Sequence, residues 1–483
     1  MDSFDLLIVG GGINGAAIAR DAAMRGLDVL LVERDDLAQH TSSASSKLIH
    51  GGLRYLEQGA LRLVRESLRE REILLRTAPH IVRPLRFVLS EGEGGRPWWM
   101  LRSGLLLYDL LAGRSALPRA RSIGPNEAGY RSPLRTSGRL ALYHDAWVDD
   151  ARLVVLNALA AAEHGAEIAT RTALVSARRD GIAWTAILSG GREVRATAIV
   201  NAAGPWVADL LTLQLGRNSA ARVRLVKGSH IVVPRLYEGD HAYILQQPDG
   251  RVVFALPYGE HNLVGTTDVP VRRSEGASIT ADEIAYLCAA VNRYFVRQTI
   301  PEDVRWSYSG VRSLHDDGAA SAQAITRDYH LQLDDASGPR LLSVFGGKIT
   351  TARALAGQAL TKLGVGGRCR TRHAYLPGGE TNDMWDDTYE KFLGTVEPWI
   401  DPELSLRLAS AYGARIADLL GNARSTADLG IHFGAGLYEA EVNYLRRVEW
   451  ARTADDILWR RTKLGLRFSP TQRDRLQTYL EAG

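Results

Sequence analysis

Apolar residues in this chain fall into two patterns, short continuous runs that end at glycine and stretches in which apolar and polar positions are mixed, and the two predict different sheets. Phe4 to Val9 is an apolar strand running into Gly10, Gly12 and Gly15, and the alanine-rich stretch that follows has helical spacing. LDVLLVER is a second buried strand ending at Glu33. The run DDARLVVLNALAAAEHGAEI reads as a helix capped near Gly165 and entering a strand, and ATAIVNAAGPWVADL as a buried strand leading to Ala203 and Gly204. LLSVFGGKITTARALAG repeats strand, glycine pair (Gly346, Gly347) and helix. Strands apolar at nearly every position are buried on both faces, as in a parallel sheet covered by helices. By contrast KGSHIVVP, RVVFALPYGEHNLVGTTDV and EDVRWSYSGVRSL carry β-rich composition with intervening turns, predicting a separate sheet. After the Pro-Gly-Gly at 377–379 the chain turns helical, with one long helix predicted through YEAEVNYLRRVEWARTADDILWRR.

The expected architecture is therefore α/β, with one interrupted domain (1–75, 143–213 and 318–377), a β-rich insertion (76–142 and 214–317) and a helical C-terminal domain (378–483). The first strand–glycine–helix unit is a dinucleotide turn. Gly10 permits the tight turn, Gly12 lets backbone approach a pyrophosphate at the helix N-terminus, and Gly15 allows helix to pack on strand. Glu33, eighteen residues after Gly15, is placed to accept from ribose hydroxyls, and Arg34 stands beside it at the solvent edge.

Composition acts by exclusion. The 483 residues are 45% hydrophobic and 24% charged, enough for two or three cored domains. A net charge of +4 with scattered arginines implies no nucleic-acid partner. Cys288 and Cys369 stand alone, giving neither a disulfide framework nor a metal signature, and no metal is expected. No leader pattern precedes the first strand and no apolar run reaches the roughly 20 residues of a bilayer span, so a cytoplasmic protein is expected. PWWMLRSGLLLYDLLAG, residues 97–113, reads first as a buried core or dimer helix, with a helix lying in a membrane interface, arginines at its edges, as the alternative.

The motifs TSSASSKLIHGGLRYLE, NAAGPWV, KGSHIVVP, GTTD, YSGVRSL, AITRDY, FGGKITT and WRRTKLG resemble those of the FAD-dependent glycerol-3-phosphate dehydrogenases of the aerobic, respiratory type, nearly end to end. The resemblance implies a Rossmann-like FAD domain of the glutathione-reductase type, a β-sheet substrate domain and a helical cap. It implies oxidation of sn-glycerol 3-phosphate to dihydroxyacetone phosphate, with electrons passing through FAD to a membrane quinone. A homodimer attached peripherally to the cytoplasmic face of the cell membrane goes with that reading.

The chemistry needs a base for the hydroxyl proton and cations for a phosphate. His230 in KGSHIVVP is the first choice of base, because imidazole titrates near neutrality. Arg54 is a candidate for the phosphate, with Tyr55 adding a hydroxyl. By resemblance Arg312 and Lys348 join them, Thr266 meets a substrate hydroxyl, and Lys348 also steadies charge on the reduced flavin. FAD contacts are expected from Ile13 and Asn14 after the glycine turn, and from Thr41, Ser42, Ser45, Ser46, Lys47 and His50 leading into Gly51 and Gly52. Ala203, Gly204, Arg327, Ile349 and Thr350 complete them. Three alternatives remain open: an oxidase passing electrons to oxygen, an amino-acid oxidase using arginine for a carboxylate, and a flavoprotein that only binds.

Overall fold

Continuous apolar strands need cover on both sides, and the chain supplies it. In the computed structural model, which describes residues 1–91, 95–135, 138–217, 223–315, 328–335, 338–380 and 399–482, Asp2–Val9 is central in the first sheet. It pairs in parallel with Val29–Val32 on one side (Leu6 opposite Val29) and with Glu193–Asn201 on the other (Val9 opposite Asn201). Glu167–Ala169 and Arg340–Phe345 extend the parallel core, and His330–Asp334 closes one edge antiparallel. One face is covered by the helix Ile13–Met24, which packs on Asp150–Glu163 and Ala352–Lys362 through Ala16, Ala19, Ala22 and Ala23. The other is covered by the hairpin Leu174–Asp180/Ala183–Leu188, with Trp184 fully buried. Each Leu, Ile or Val side chain enclosed this way contributes roughly 1.5–3 kcal/mol.

The second sheet is mostly antiparallel. Val223–Pro234 pairs with Trp306–His315, His261–Gly265 and Val269–Val271, and the sheet continues through Val252–Tyr258, Ala242–Gln246, Val82–Ser90 and Leu140–Val148 to Leu48–Ile49. Leu140–Val148 lies wholly in this sheet, paired along its length with Val82–Ser90. A boundary at 143 therefore cuts a strand. The chain returns to the first layer at Asp149, which caps the helix Asp150–Glu163 by accepting from Arg152 N at 3.1 Å.

The C-terminal residues build a core of their own around Leu408, Tyr412, Leu437, Leu445, Ile457 and Leu476. The expected long helix is broken here. Glu439–Glu449 ends at Trp450, whose φ of 58° is left-handed, and a separate helical turn spans Asp456–Arg461. The break has a local cause, since the Asp456 carboxylate accepts from Arg452 N (2.8 Å) and Thr453 N (3.0 Å), capping a new start instead of continuing the old helix.

Candidate functional site

One cavity of about 940 Å³ opens between the two sheets, and most of the residues singled out above line it. At its nucleotide end the glycines do what the turn demands. Gly10 has φ +116°, and a Cβ there would stand 2.5 Å from Ala202 O; a Cβ on Gly15 would stand 1.9 Å from Gly10 O. The twelve-residue helix Ile13–Met24 starts at Gly12 without a side-chain cap of its own, and Ser42 Oγ accepts from Ile13 N at 3.0 Å. Glu33 accepts from Gly11 N at 2.6 Å and Asp35 N at 2.9 Å; burial raises its carboxyl above the ordinary value, against the pull of those bonds. Arg34 lies 4.0 Å over the Trp206 ring and pairs with Asp35.

These residues fit a dinucleotide: a helix start with glycine at its cap facing the cavity, a carboxylate at the end of the second strand, and a glycine path where side chains would collide. Asn14 adds a further sign, because its Nδ2 donates to Gly346 O at 3.0 Å while its Oδ1 is buried without a partner among the described residues. A Cβ on Gly347 would come within 2.8 Å of that amide. Ala203, Gly204, Ile349 and Thr350 also line the cavity.

Between strand and helix, the loop from Thr41 to Gly52 is pinned from outside. Thr41 Oγ1 donates to Val311 O at 2.6 Å, Ser45 Oγ to Asp150 at 2.8 Å, and Ser46 Oγ lies 2.9 Å from His230 Nε2. Lys47 does not face the cavity. It is 1% exposed, with Nζ 2.8 Å from Asp150, whose carboxyl is pushed up by burial but held below its ordinary value by Lys47 and Lys463. Gly51 is likewise behind the wall, its N–H bonded to Tyr108 OH at 2.8 Å, where a side chain would collide with Tyr108 and Leu68. Neither lines the cavity, and the bonds shown here fix the loop from behind. Arg327 lies outside the described residues.

The other end of the cavity gathers cations. Arg54 is on the short turn Leu53–Leu56, and its guanidinium has no hydrogen-bond or ion-pair partner among the described residues. Lys348 Nζ stands 3.7 Å from the Tyr55 ring centroid, and Arg312 pairs with Asp268 at 2.8 Å. Thr266 donates to Thr267 O at 3.1 Å. Gly228 leaves room for the group, since a Cβ there would stand 2.7 Å from Thr266 Oγ1 and 3.0 Å from Arg312 Nη2.

Two histidines serve this end, and the structure separates them. His50 lines the cavity, and burial together with Lys348 and Arg312 pushes it down to about 4. His230 is 1% exposed, stacked on Tyr308 at 4.8 Å, with Nδ1 unpartnered among the described residues; burial, then Arg312 and Lys47, hold it well below its ordinary value. It is not on the cavity wall and reaches it only through Ser46. The sequence singled out His50 for the cofactor alone, because a histidine before two glycines carries no mark of which neighbours converge on it.

Residues 5–353 match the FAD dependent oxidoreductase family, and residues 369–479 the C-terminal domain of alpha-glycerophosphate oxidase. The chain is 52% identical to a glycerol-3-phosphate dehydrogenase of Pseudomonas aeruginosa, over 99% of this chain and 95% of that one. It is 48% identical to a D-erythritol 1-phosphate dehydrogenase of Brucella abortus, over 98% and 96%. Among solved structures, a Bacillus halodurans glycerol-3-phosphate dehydrogenase complexed with FAD superposes with a TM-score of 0.73 at 25% identity, covering 99% of this chain and 94% of that one. Since the likeness takes in the glycine turn, the cation cluster and the helical C-terminal region together, the chain belongs to the family of FAD-dependent glycerol-3-phosphate dehydrogenases.

Proposed function

We propose that this enzyme oxidises sn-glycerol 3-phosphate to dihydroxyacetone phosphate. The observation that carries the reading is the joining of two chemistries in one cavity: a dinucleotide wall at Gly12 and Glu33, and a cation cluster at Arg54, Arg312 and Lys348. Those three groups bring three positive charges and Asp268 returns one, leaving a surplus close to the charge of about −2 on a phosphate monoester. Bound FAD supplies the two-electron acceptor for the hydrogen on the carbinol carbon. The protein's part is to fix that carbon, hold the phosphate and remove a proton. Arg54, its guanidinium free of protein partners among the described residues, offers paired donors to phosphate oxygens. Tyr55 and Thr266 add hydroxyls, and Lys348, in the strand–glycine–helix unit of the cofactor domain, favours negative charge developing at the cofactor. The hydroxyl proton goes to a ring nitrogen of His50, which is neutral and on the wall. His230 is a second neutral imidazole, one hydroxyl away through Ser46.

The domain roles follow: the parallel sheet for FAD, the antiparallel sheet for substrate. A membrane quinone as acceptor, peripheral attachment at the cytoplasmic face and a homodimer belong to the same proposal. Attachment is supported by the exposed apolar side of Trp98–Ala112, and no described helix is long and apolar enough to cross a membrane; quinone and dimer rest on the resemblance. A second reading is favoured by the 48% identity to an erythritol-phosphate enzyme: a longer polyol phosphate as substrate. An oxidase is kept open by the name of the C-terminal match.

Anaerobic titration of the flavin-loaded protein with each polyol phosphate, followed by flavin absorbance, separates these. Bleaching at stoichiometric glycerol 3-phosphate, with faster reoxidation by a soluble quinone than by oxygen, is the expected result. Bleaching only with erythritol 1-phosphate moves the substrate; fast reoxidation by oxygen makes it an oxidase; a flavin that stays yellow with both sinks the pocket assignment.

A further inference from the structure

The segment Asp456–Lys463, which contains most of the WRRTKLG motif, belongs to the C-terminal region by sequence, and besides its contacts there it reaches segments that wall the cofactor cavity. Arg460 and Arg461 both grip Asp36, at 2.6 Å each, and a second Arg461–Asp36 bond of 2.8 Å makes that pair bidentate. Asp36 lies within the 33–40 wall that also carries Glu33. Lys463 Nζ reaches Asp149 and Asp150 at 3.4 Å, and Asp150 in turn holds Ser45 and Lys47 of the 41–50 loop. Asp456 takes Arg171 at 2.6 Å, while Arg171 N and Thr172 N donate to Asp35 O (2.8 Å) and Glu33 O (2.7 Å). Trp459 stacks on Trp306 at 4.4 Å, next to Tyr308, whose hydroxyl donates to Ser45 O at 2.7 Å.

Three wall segments, at 33–40, 41–50 and 171–174, thus meet one short stretch from the far end of the sequence. A second observation marks the same junction. Among the described residues, four of the six non-glycine residues in the left-handed region, Ala38, Lys47, Arg171 and Lys463 (φ 61°, 57°, 54° and 59°), lie in these wall segments or at the end of this stretch. Residues other than glycine avoid that conformation unless surrounding contacts hold them there. Asp36, Asp150 and Arg461 are essentially fully buried, so the contacts are shielded from solvent and salt.

We infer that Asp456–Lys463 is a clasp that preorganises the nucleotide end of the cavity, and that Arg171, Arg460, Arg461 and Lys463 are positioning residues for FAD. The inference rests on the reading that this cavity holds FAD. A loop already ordered binds without the entropy loss of ordering it, so loosening the clasp weakens binding even though no clasp side chain need touch the cofactor. Linkage requires the reverse as well: FAD must tighten the docking of the C-terminal region.

The test uses full-length apoprotein prepared by removing flavin, titrated with FAD by fluorescence quenching, with limited proteolysis in parallel. Lys463→Met is expected to raise the FAD Kd about tenfold and Lys463→Arg to restore it to within about threefold. FAD is expected to slow proteolytic release of the C-terminal region in the natural protein, and Lys463→Met to abolish that protection. If Lys463→Met does not fold, Arg171→Met, whose side chain is 30% exposed, carries the test with a rise of about threefold. Folded variants that bind FAD as tightly as the natural protein, or C-terminal release at one rate with and without FAD, overturn the clasp. Natural apoprotein that takes up no FAD overturns the cofactor reading itself.

Discussion

His50, the base proposed above, and His230 illustrate how position decides between two buried histidines. Both are histidines held neutral, but only one is on the cavity wall, and proton transfer depends on reach before it depends on pKa. His50→Asn is expected to slow flavin reduction by about 100-fold or more, and His230→Asn by about tenfold, since the latter acts only through Ser46. Stopped-flow reduction measures both, and the opposite order returns the base to His230. In the natural enzyme the limiting reduction rate should hold well below pH 6, with its acid limb near pH 4, because a depressed histidine pKa keeps the imidazole unprotonated to lower pH. The substrate phosphate loses its second charge near pH 6, so KM should rise there while the limiting rate does not. Much of this was legible in the sequence: Gly10, Gly12, Gly15 and Glu33 are dictated by local turn geometry, and a local pattern suffices to find them. Lys47 and the choice between the two histidines were not, because Asp150, Ser46 and Tyr308 come from distant parts of the chain.

Among the elements, Trp98–Ala112 has a buried side that meets the core reading and exposed apolar side chains that leave the membrane reading to be tested. Leu101, Leu105 and Tyr108 are buried against the second sheet, while Trp99, Leu106 and Leu110 stand 70%, 63% and 69% exposed on other sides. Met100, Gly104 and Leu107 of the same helix line the cavity, so its apolar outer side adjoins the opening toward the cofactor. Leu105 is in the core, so a polar residue there would test folding. The informative variant is Trp99→Ser/Leu106→Gln/Leu110→Gln. Each change removes roughly 1–2 kcal/mol of apolar transfer, and co-sedimentation with phosphatidylglycerol-containing vesicles is expected to fall by tenfold or more while flavin content stays the same. Unchanged sedimentation removes this helix from the membrane contact. The break after Glu449 was hidden for a related reason: helical spacing persists through 450–461, and only the Asp456 cap and its partners Arg171 and Arg460 decide that the chain turns.

At the scale of the whole molecule, five histidines in different regions, His144 among them, share one electrostatic condition. His50 at the cavity and His241 in the second sheet are pushed down to about 4, His80 near the C-terminal core to about 3, and His230 well below its ordinary value, in each case first by burial and then by a neighbouring arginine or lysine. His80 has neither ring nitrogen bonded among the described residues, so nothing there favours the charged form. In the unfolded chain each would titrate near 6.5. The native state binds fewer protons than the unfolded state between that value and about 4, so stability is complete above pH 6.5 and declines as pH falls through this window, at up to about 1.4 kcal/mol per pH unit for each group. Glu33 and Asp145, whose carboxyls burial raises, bind protons in the native state and offset part of the loss. Unfolding near pH 5 should therefore take up protons, read from the pH dependence of Tm and the calorimetric enthalpy. Because the groups are spread over cavity, sheet and C-terminal junction, the transition should stay single as it moves to lower temperature. No proton uptake at pH 5 would mean that these imidazoles are charged in the folded protein, and the neutral base proposed for catalysis would fall with them.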